Sequence, residues 1–313
     1  MDKKMPDVSV LVPAYNEVEN IPGLVQGLTA MFDSHGLAGE IVLVDDGSTD
    51  GTYDAASAIA GQEKRLKLLR HRRNFGKAEA MLTGNAAAEA GVVVLYDADM
   101  QHSPEDIPRF LEKMRQGAGY DIVCGRKVGK YGKRAVSSVY NFLSRLLFDV
   151  PVRDLNSMKA YRREVLDQIH LRHDWHRFFV VLAHNLGYRV GELEVELLPR
   201  RYGKSKYTGC WRVVVGLVDL LSVKFLITLG RKPMSVFGTG GLVLLGLGFI
   251  TGVVALYYRF VLIQGYRPLL YLVILFVLAG VLLFTLGFLT ELLGLLLERL
   301  EKLERGMKNK KNE

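Results

Sequence analysis

Two stretches without a single charged side chain set the terms for this chain: Pro233 to Tyr258 and Pro268 to Thr290. Each is at least ~20 residues long, enough for an α-helix to cross a bilayer core of about 30 Å. Two such runs in succession argue for membrane spans rather than for buried helices of a soluble domain. Lys224, Arg231 and Lys232 precede the first run; Lys302, Arg305, Lys308, Lys310 and Lys311 follow the second. The short connection carries only Arg259 and Arg267. Positive-inside counting therefore places both flanks, both termini and the first domain in the cytoplasm, with the chain a multi-pass protein of the cell membrane. The segment 211–227 is apolar with Arg212, Asp219 and Lys224 interspersed. It reads equally as an interfacial helix and as an ordinary helix packed on the first domain. The basic tail reads as a helix that leaves the membrane and frays.

The rest of the chain is not membrane-like. Of 313 residues, 49% are hydrophobic and 24% charged, which excludes a disordered chain. A net charge of +8 suits anionic partners such as phosphorylated small molecules, an acidic membrane surface or nucleic acid. Cys124 and Cys210 are too few and too far apart for a disulfide framework or a thiolate metal site. The opening MDKKMPDVSV lacks the apolar core of a signal peptide, in line with a cytosolic first domain.

From Val8 to about Leu198, short β-branched runs alternate with longer amphipathic segments. Strands are expected at 8–12, 40–44, 66–69, 92–96 and 121–125, and helices at 18–33, 51–61, 76–90 and 104–117. Buried runs separated by helices argue for a parallel α/β sheet. Ligands of such sheets bind beyond the carboxyl ends of the strands. The acids gather there: Glu17 after the first strand, Asp45 and Asp46 after the second, Asp97 and Asp99 after the fourth.

Asp97 and Asp99, in YDADMQHSPED, pose a problem of like-charge repulsion that a hard divalent cation would solve. Gln101 adds a neutral oxygen. The bland alternative, a helix cap, is already supplied by Ser103 and Pro104. Asp46, in DDGSTDGT, is an acceptor for a base N–H or a ribose hydroxyl, although turn and cap chemistry explains most of that segment. In PAYNE, Pro13 shapes the turn, Tyr15 offers a stacking face and Glu17 an acceptor for sugar hydroxyls, with a helix start at Asn16 as the plain reading. Neither segment has the glycine pattern of a dinucleotide loop or P-loop, so phosphates must be held by metal and side chains. A basic cluster (Arg126, Lys127, Lys130, Lys133, Arg134) and RRYGKSKY at 200–207 stand between this site and the membrane, where a lipid phosphate would arrive. His102, His173 and His176 lack zinc-like spacing and read as ordinary polar residues.

VSVLVPAYNEVENI, VLVDDGSTDGT, NFGKAEA, YDADMQHSPEDI, VRDLNSMKAYRREVL and RYGKSKY, taken in order, resemble the family 2 glycosyltransferases of GT-A fold. Within them the chain is similar to polyprenyl-phosphate glycosyltransferases, the dolichol-phosphate mannose synthases and bacterial bactoprenol glucosyltransferases. The resemblance implies a Rossmann-like, mostly parallel catalytic domain at 1–208, a juxtamembrane interfacial region at 209–232, two transmembrane helices at 233–293 and a basic cytoplasmic tail at 294–313. It implies a nucleotide site at Pro13, Tyr15, Glu17, Asp46, Lys77 and Asp97, and a metal and diphosphate site for Mg2+ or Mn2+ at Asp97, Asp99 and Gln101. Arg126, Arg134 and Ser137, with Arg201, Lys204, Ser205 and Lys206, match positions that meet donor or acceptor phosphate. Asp154 matches an acid near the acceptor. One departure is visible: many relatives read CGFK or SGFR where this chain has Asn156, Ser157, Met158 and Lys159, which bears on the choice of sugar rather than on the reaction type.

The implied reaction is an inverting transfer of a hexose from a nucleotide sugar, UDP-glucose or GDP-mannose, to undecaprenyl or dolichyl phosphate at the cytoplasmic membrane face. The catalytic residues expected are Asp99 and Asp154, Asp154 as a base or as the group that orients the acceptor. The partners are the donor, the lipid acceptor and the membrane, without nucleic acid. The small-residue run GTGGLVLLGLG offers a packing surface for a homo-oligomer. A processive polysaccharide synthase is the rival enzyme, but the QxxRW-type motif of such enzymes is missing. A catalytically silent membrane scaffold is the rival from another class, and the intact DAD triplet speaks against it.

Overall fold

The computed structural model describes residues 5–117, 119–128, 147, 148, 150–169, 171, 172, 175–199, 218–225, 227, 228 and 233–311. The chain forms two compact units, Met1–Leu217 and Val218–Glu313.

The first unit is built on a seven-stranded sheet of order β3-β2-β1-β4-β6-β5-β7. Its strands are β1 (Val8–Ala14), β2 (Gly39–Asp45), β3 (Leu66–Arg70), β4 (Val92–Leu95), β5 (Ile122–Val128), β6 (Lys159–Arg162) and β7 (Val190–Glu196). β1 and β2 carry β-branched runs that are buried almost throughout, as strands covered on both faces must be. Val8, Val10 and Val12 of β1 pack with Ile41 and Leu43 of β2 against α1 (Ile21–His35) and α4 (Asp106–Arg115), through Leu24, Leu28, Ile107 and Phe110. The opposite face meets α3 (Lys77–Ala87). Gly84 allows that approach, because a Cβ there would fall 1.9 Å from Leu11 Cδ1. α2 (Thr52–Ala60), α5 (Arg163–Asp167), a 3-10 turn (Trp175–Phe178) and α6 (Phe179–Asn185) complete the unit.

Every strand runs parallel except β6, which is antiparallel to both β4 and β5. Its reversed direction matters for the site. Lys159, the first residue of β6, lies opposite Leu95, the last of β4, and opposite Cys124 of β5. The segment 154–158 that leads into β6 is thereby delivered to the ligand end of the sheet. From β1 the chain adds β2 and β3 on one side and then crosses back to β4 on the other, so β1 and β4 flank a topological switch point. Such a point is where open α/β sheets bind ligands.

In the second unit, α7 (Pro233–Phe260) and α8 (Arg267–Lys311) form a helical hairpin. The apolar part of each, 28 and 30 residues at mean hydropathy 2.1 and 2.9, is long enough to cross a membrane. These helices expose their apolar surface, Phe249 at 74% and Leu282 at 70%, whereas a soluble core helix would cover it. The glycines of the small-residue run are used inside the hairpin. A Cβ on Gly241 would meet Gly280 O at 2.8 Å, and one on Gly248 would meet Val277 Cγ2 at 3.0 Å. Van der Waals contact between closely approaching backbones is the main cohesion available between helices in lipid. The helix expected to fray continues to Lys311. Of the segment 211–227, residues 218–225 and 227 are described and are helical.

Candidate active site

Two loops at the carboxyl end of the sheet are fastened together. Asn16 N donates to Ser48 Oγ at 2.9 Å, Thr49 N to Asn16 Oδ1 at 2.9 Å, and Glu17 N to Thr52 Oγ1 at 2.8 Å. Asn16 is thus a loop link with φ of 53°, not the helix cap, and α1 begins only at Ile21. Glu17 Oε2 accepts from Asn20 Nδ2 at 2.7 Å. Pro13 sits in β1 opposite Val44, and Tyr15 is half-buried just beyond it.

Asp46 is buried and holds the next loop. Its Oδ1 accepts from His71 Nδ1 at 2.7 Å and Phe75 N at 2.9 Å, and its Oδ2 from Gly76 N at 2.8 Å. These contacts fix the entry to α3, where Gly76 takes a φ of 91° that favours glycine. The Asp46 carboxylate also faces the positive end of that helix. Among the described residues, Gly76 N is the one donor to Oδ2.

α3 begins with Lys77, and the Lys77 ammonium donates to Asp97 Oδ1. The repulsion between Asp97 and Asp99 is therefore answered within the protein by a cation from a neighbouring helix. Burial works to raise the Asp97 pKa, but Lys77 outweighs it and holds the carboxyl well below the usual carboxylate range. The loop that follows turns through Met100 at φ 54°, a strained conformation for a residue with a long side chain. Asp99 Oδ1 accepts from Gln101 N at 3.2 Å. Gln101 is tied at both ends to Leu198: Leu198 N donates to Gln101 O at 2.8 Å, and Gln101 Nε2 to Leu198 O at 3.4 Å. Leu198, at the end of the segment after β7, is thus bonded to the DAD loop.

No three His, Cys, Asp or Glu side chains converge on a ready-made metal site among the described residues. The donors at the rim fit a hard cation held by few protein ligands. Lys77 occupies Oδ1 of Asp97 and the amide nitrogen of Gln101 is committed to Leu198, so a cation here would be met by Asp97 Oδ2, the Asp99 carboxylate and Gln101 Oε1. All three are oxygens, the preference of Mg2+ or Mn2+, which takes its remaining ligands from phosphates and water.

Across the crevice, Asp154 is 4% exposed; its Oδ1 accepts from Asn156 N at 2.9 Å and its Oδ2 lies 3.9 Å from Lys127 Nζ. Arg126, expected to meet phosphate, is ion-paired with Glu194 of β7. Arg134, Ser137, Arg201, Lys204, Ser205 and Lys206 lie outside the described residues.

Three buried groups near the site were named in the sequence without a role of their own: Lys159 in the segment that departs from its relatives, and His102 and His176 as ordinary polar residues. Lys159 is 4% exposed, and burial draws its pKa down to about 8 against the pull of Cys124, Asp97 and Asp154. His102 and His176 are buried and neutral; burial lowers the first to about 4 and the second well below 6.5. The available signal was Lys159 itself, a lysine between apolar Met158 and Ala160 in a segment read only as a motif match.

Comparison with known proteins follows this geometry. The model of glycosyl transferase family 2 matches residues 9–183. The chain is 32% identical over 301 residues to a dodecaprenyl-phosphate galacturonate synthase of Rhizobium johnstonii, covering 92% of this chain and 88% of that one. It is 31% identical over 299 residues to an undecaprenyl-phosphate 4-deoxy-4-formamido-L-arabinose transferase of Aeromonas hydrophila, with the same coverage of 92% and 88%. Its fold is similar to that of Mycobacterium tuberculosis glucosyl-3-phosphoglycerate synthase, crystallised with Mn2+, UDP and glucosyl-3-phosphoglycerate. That likeness has a TM-score of 0.54 at 19% identity over 69% of this chain and 80% of that one. The switch-point crevice, the acids at its rim and the match over most of the first unit lead to one assignment: the chain belongs to glycosyl transferase family 2, with a GT-A catalytic domain followed by two apolar helices.

Proposed function

We propose that this glycosyltransferase moves a sugar from a nucleotide sugar to a polyprenyl monophosphate at the membrane surface, with inversion at the anomeric carbon. The observation that carries the reading is the loop after β4, where Lys77 pairs with Asp97 and Gln101 N donates to Asp99, in a chain that also bears two membrane-length helices. The polyprenyl-phosphate sugar transferases among its relatives support it. The donor is a UDP- or GDP-linked hexose, UDP-glucose or GDP-mannose, or a modified sugar of the kinds named for the relatives. The acceptor is undecaprenyl or dolichyl phosphate.

Pro13, Tyr15, Glu17 and Asp46 line the nucleotide end. Asp97, Asp99 and Gln101 would hold Mg2+ or Mn2+, whose charge there offsets that of the leaving diphosphate. Lys77 is placed to pass from Asp97 to a diphosphate oxygen as the donor enters, an exchange between two anionic partners within reach of one flexible stem. The acceptor phosphate oxygen is already ionised near neutral pH, so no strong base is demanded. Asp154 then orients the acceptor side through Lys127 rather than removing a proton. Arg126, Arg134, Ser137, Arg201, Lys204, Ser205 and Lys206 are assigned to donor or acceptor phosphate, and positioning of this kind supplies several kcal/mol of a barrier. The two helices keep this domain at the leaflet that holds the lipid, with both termini cytoplasmic. The domain limits remain 1–208, 209–232, 233–293 and 294–313. Any homo-oligomer must use a surface other than Gly241 and Gly248, which the hairpin consumes.

The test is a panel of labelled UDP-glucose, UDP-galactose, UDP-galacturonate, UDP-N-acetylglucosamine and GDP-mannose, given with undecaprenyl phosphate to membranes that contain the chain. Chloroform-soluble label from one donor is expected. None from a broad panel would overturn the reading.

A further inference from the structure

Behind the rim lies a chemical surplus that the proposed reaction does not use. Lys159 is the one buried lysine or arginine among the described residues. An ammonium has three N–H donors. Lys159 commits one, to Ser157 O at 2.8 Å, and among the described residues no ion pair or other hydrogen bond takes the remaining two. Its neighbours are in the same condition. Ser157 Oγ and His176 Nδ1 are buried without a hydrogen-bond partner among the described residues. Buried polar groups are paired in the great majority of cases, so groups left without a partner among the described residues are open to one supplied by a ligand.

The topology says where that partner would lie. Lys159 starts the reversed strand, level with the end of β4 and two positions from Asp97 along the neighbouring strand. Asp154 lies five residues before it, on the acceptor side. The 3-10 turn that carries His176 packs on α3, the helix whose first residue, Lys77, holds Asp97. Lys159 and His176 both feel the charges of Asp97 and Lys77, and Lys159 feels that of Asp154 as well. The surplus is thus set between the acid that faces the donor and the acid that faces the acceptor. In a transfer between these two sides, the group that moves is the sugar.

We propose that Lys159 is a sugar-reading residue: its two uncommitted N–H groups bind an oxygen of the transferred sugar, a hydroxyl or a carboxylate, with His176 Nδ1 offering a further hydrogen bond. This rests on the reaction proposed above. A buried donor reserved for a substrate oxygen is also a strong basis for choice among sugars, because a sugar lacking that oxygen leaves the cation buried and unsatisfied.

The test uses the full chain in detergent with Mn2+, as wild type, Lys159→Met and Lys159→Gln. Calorimetry gives the affinity for the nucleoside diphosphate alone and for the sugar nucleotide that the wild type transfers, and KM and kcat are measured beside it. Lys159→Met is expected to keep diphosphate affinity within about 2-fold while losing on the order of 10- to 100-fold in sugar-nucleotide affinity and kcat/KM. Lys159→Gln retains most of the lost affinity if the sugar oxygen is a hydroxyl, and matches Lys159→Met if it is a carboxylate. Sugar-nucleotide and diphosphate affinities that fall together in both variants mark Lys159 as structural and overturn the proposal, as do unchanged values. A wild type that makes no labelled lipid overturns the reaction and this inference together; transfer by the wild type that is undiminished in both variants overturns only the inference.

Discussion

The Lys77 ammonium and the Asp97 carboxylate, twenty residues apart in sequence, meet at the rim of the sheet, where α3 begins and β4 has just ended. The pair is partly open to solvent, the Lys77 and Asp97 side chains being 25% and 38% exposed. Its contribution to folding is accordingly small, under about 1 kcal/mol. Its value lies in the charge it keeps beside the donor site. Lys77→Met is expected to change thermal stability little while lowering kcat/KM for the donor by on the order of 10- to 100-fold. Steady-state kinetics beside a melting curve would check this; a large fall in stability with full activity would contradict it.

Arg126 and Glu194 form a second pair that a phosphate must compete with. Arg126→Ala is expected to raise the KM for the lipid acceptor about 10-fold, as the loss of one charge-assisted contact does. Glu194→Gln frees the guanidinium and is expected to leave that KM unchanged or lower, with stability altered by less than about 1 kcal/mol because Glu194 is mostly exposed. Acceptor titrations on the two variants separate these effects by sign.

His176, in parallel with His102, makes stability depend on pH. Burial holds its imidazole well below 6.5 in the folded chain, whereas the unfolded chain titrates near 6.5. The contribution is complete above that value. As pH falls below it, the unfolded chain takes up a proton that the folded chain refuses, so stability declines by up to about 1.4 kcal/mol per pH unit. Melting measured from pH 7 to pH 5 should show this decline, and His176→Gln should reduce the slope. An identical slope in the variant would show that His176 is not the group responsible.

The membrane hairpin has its own test in Gly241. A Cβ there meets backbone atoms, Gly280 O at 2.8 Å and Phe284 N at 2.8 Å, which no side-chain rotation relieves. Gly241→Leu is expected to destabilise the hairpin by about 1–3 kcal/mol. Denaturation of the detergent-solubilised chain would report it, with Gly246→Leu as the control because nothing lies within 4 Å of a Cβ at that position.

The sequence made the parallel core legible because β1, β2 and β4 are dense in β-branched residues, and each ends in an acid or a turn. β6 escaped because it has only four residues, begins with a lysine and ends with an arginine. Its apolar content is too small for periodicity to register. β7 was not among the expected strands, although the alternation of Glu192, Glu194 and Glu196 with Leu193 and Val195 at an edge of the sheet is the pattern of a half-buried strand. DAD and Gln101 were legible because motif spacing is local. Lys77 was placed only by resemblance, and its partner Asp97 could not be read from spacing, since a crossover separates them. Lys159 was hidden for the opposite reason. A lysine reads as solvent-exposed by default, and only the reversed direction of β6 shows that this one starts its strand inside the protein.

The most direct measurement is labelled-sugar transfer to undecaprenyl phosphate by the wild type and Asp99→Asn, each stripped with chelator and then titrated with Mn2+ or Mg2+. The wild type is predicted to lose its chloroform-soluble product on chelation and regain it with the metal. Asp99→Asn should remain at least about 100-fold slower at every metal concentration. A wild-type rate indifferent to chelation, or an Asp99→Asn chain as fast as the wild type, would contradict the account.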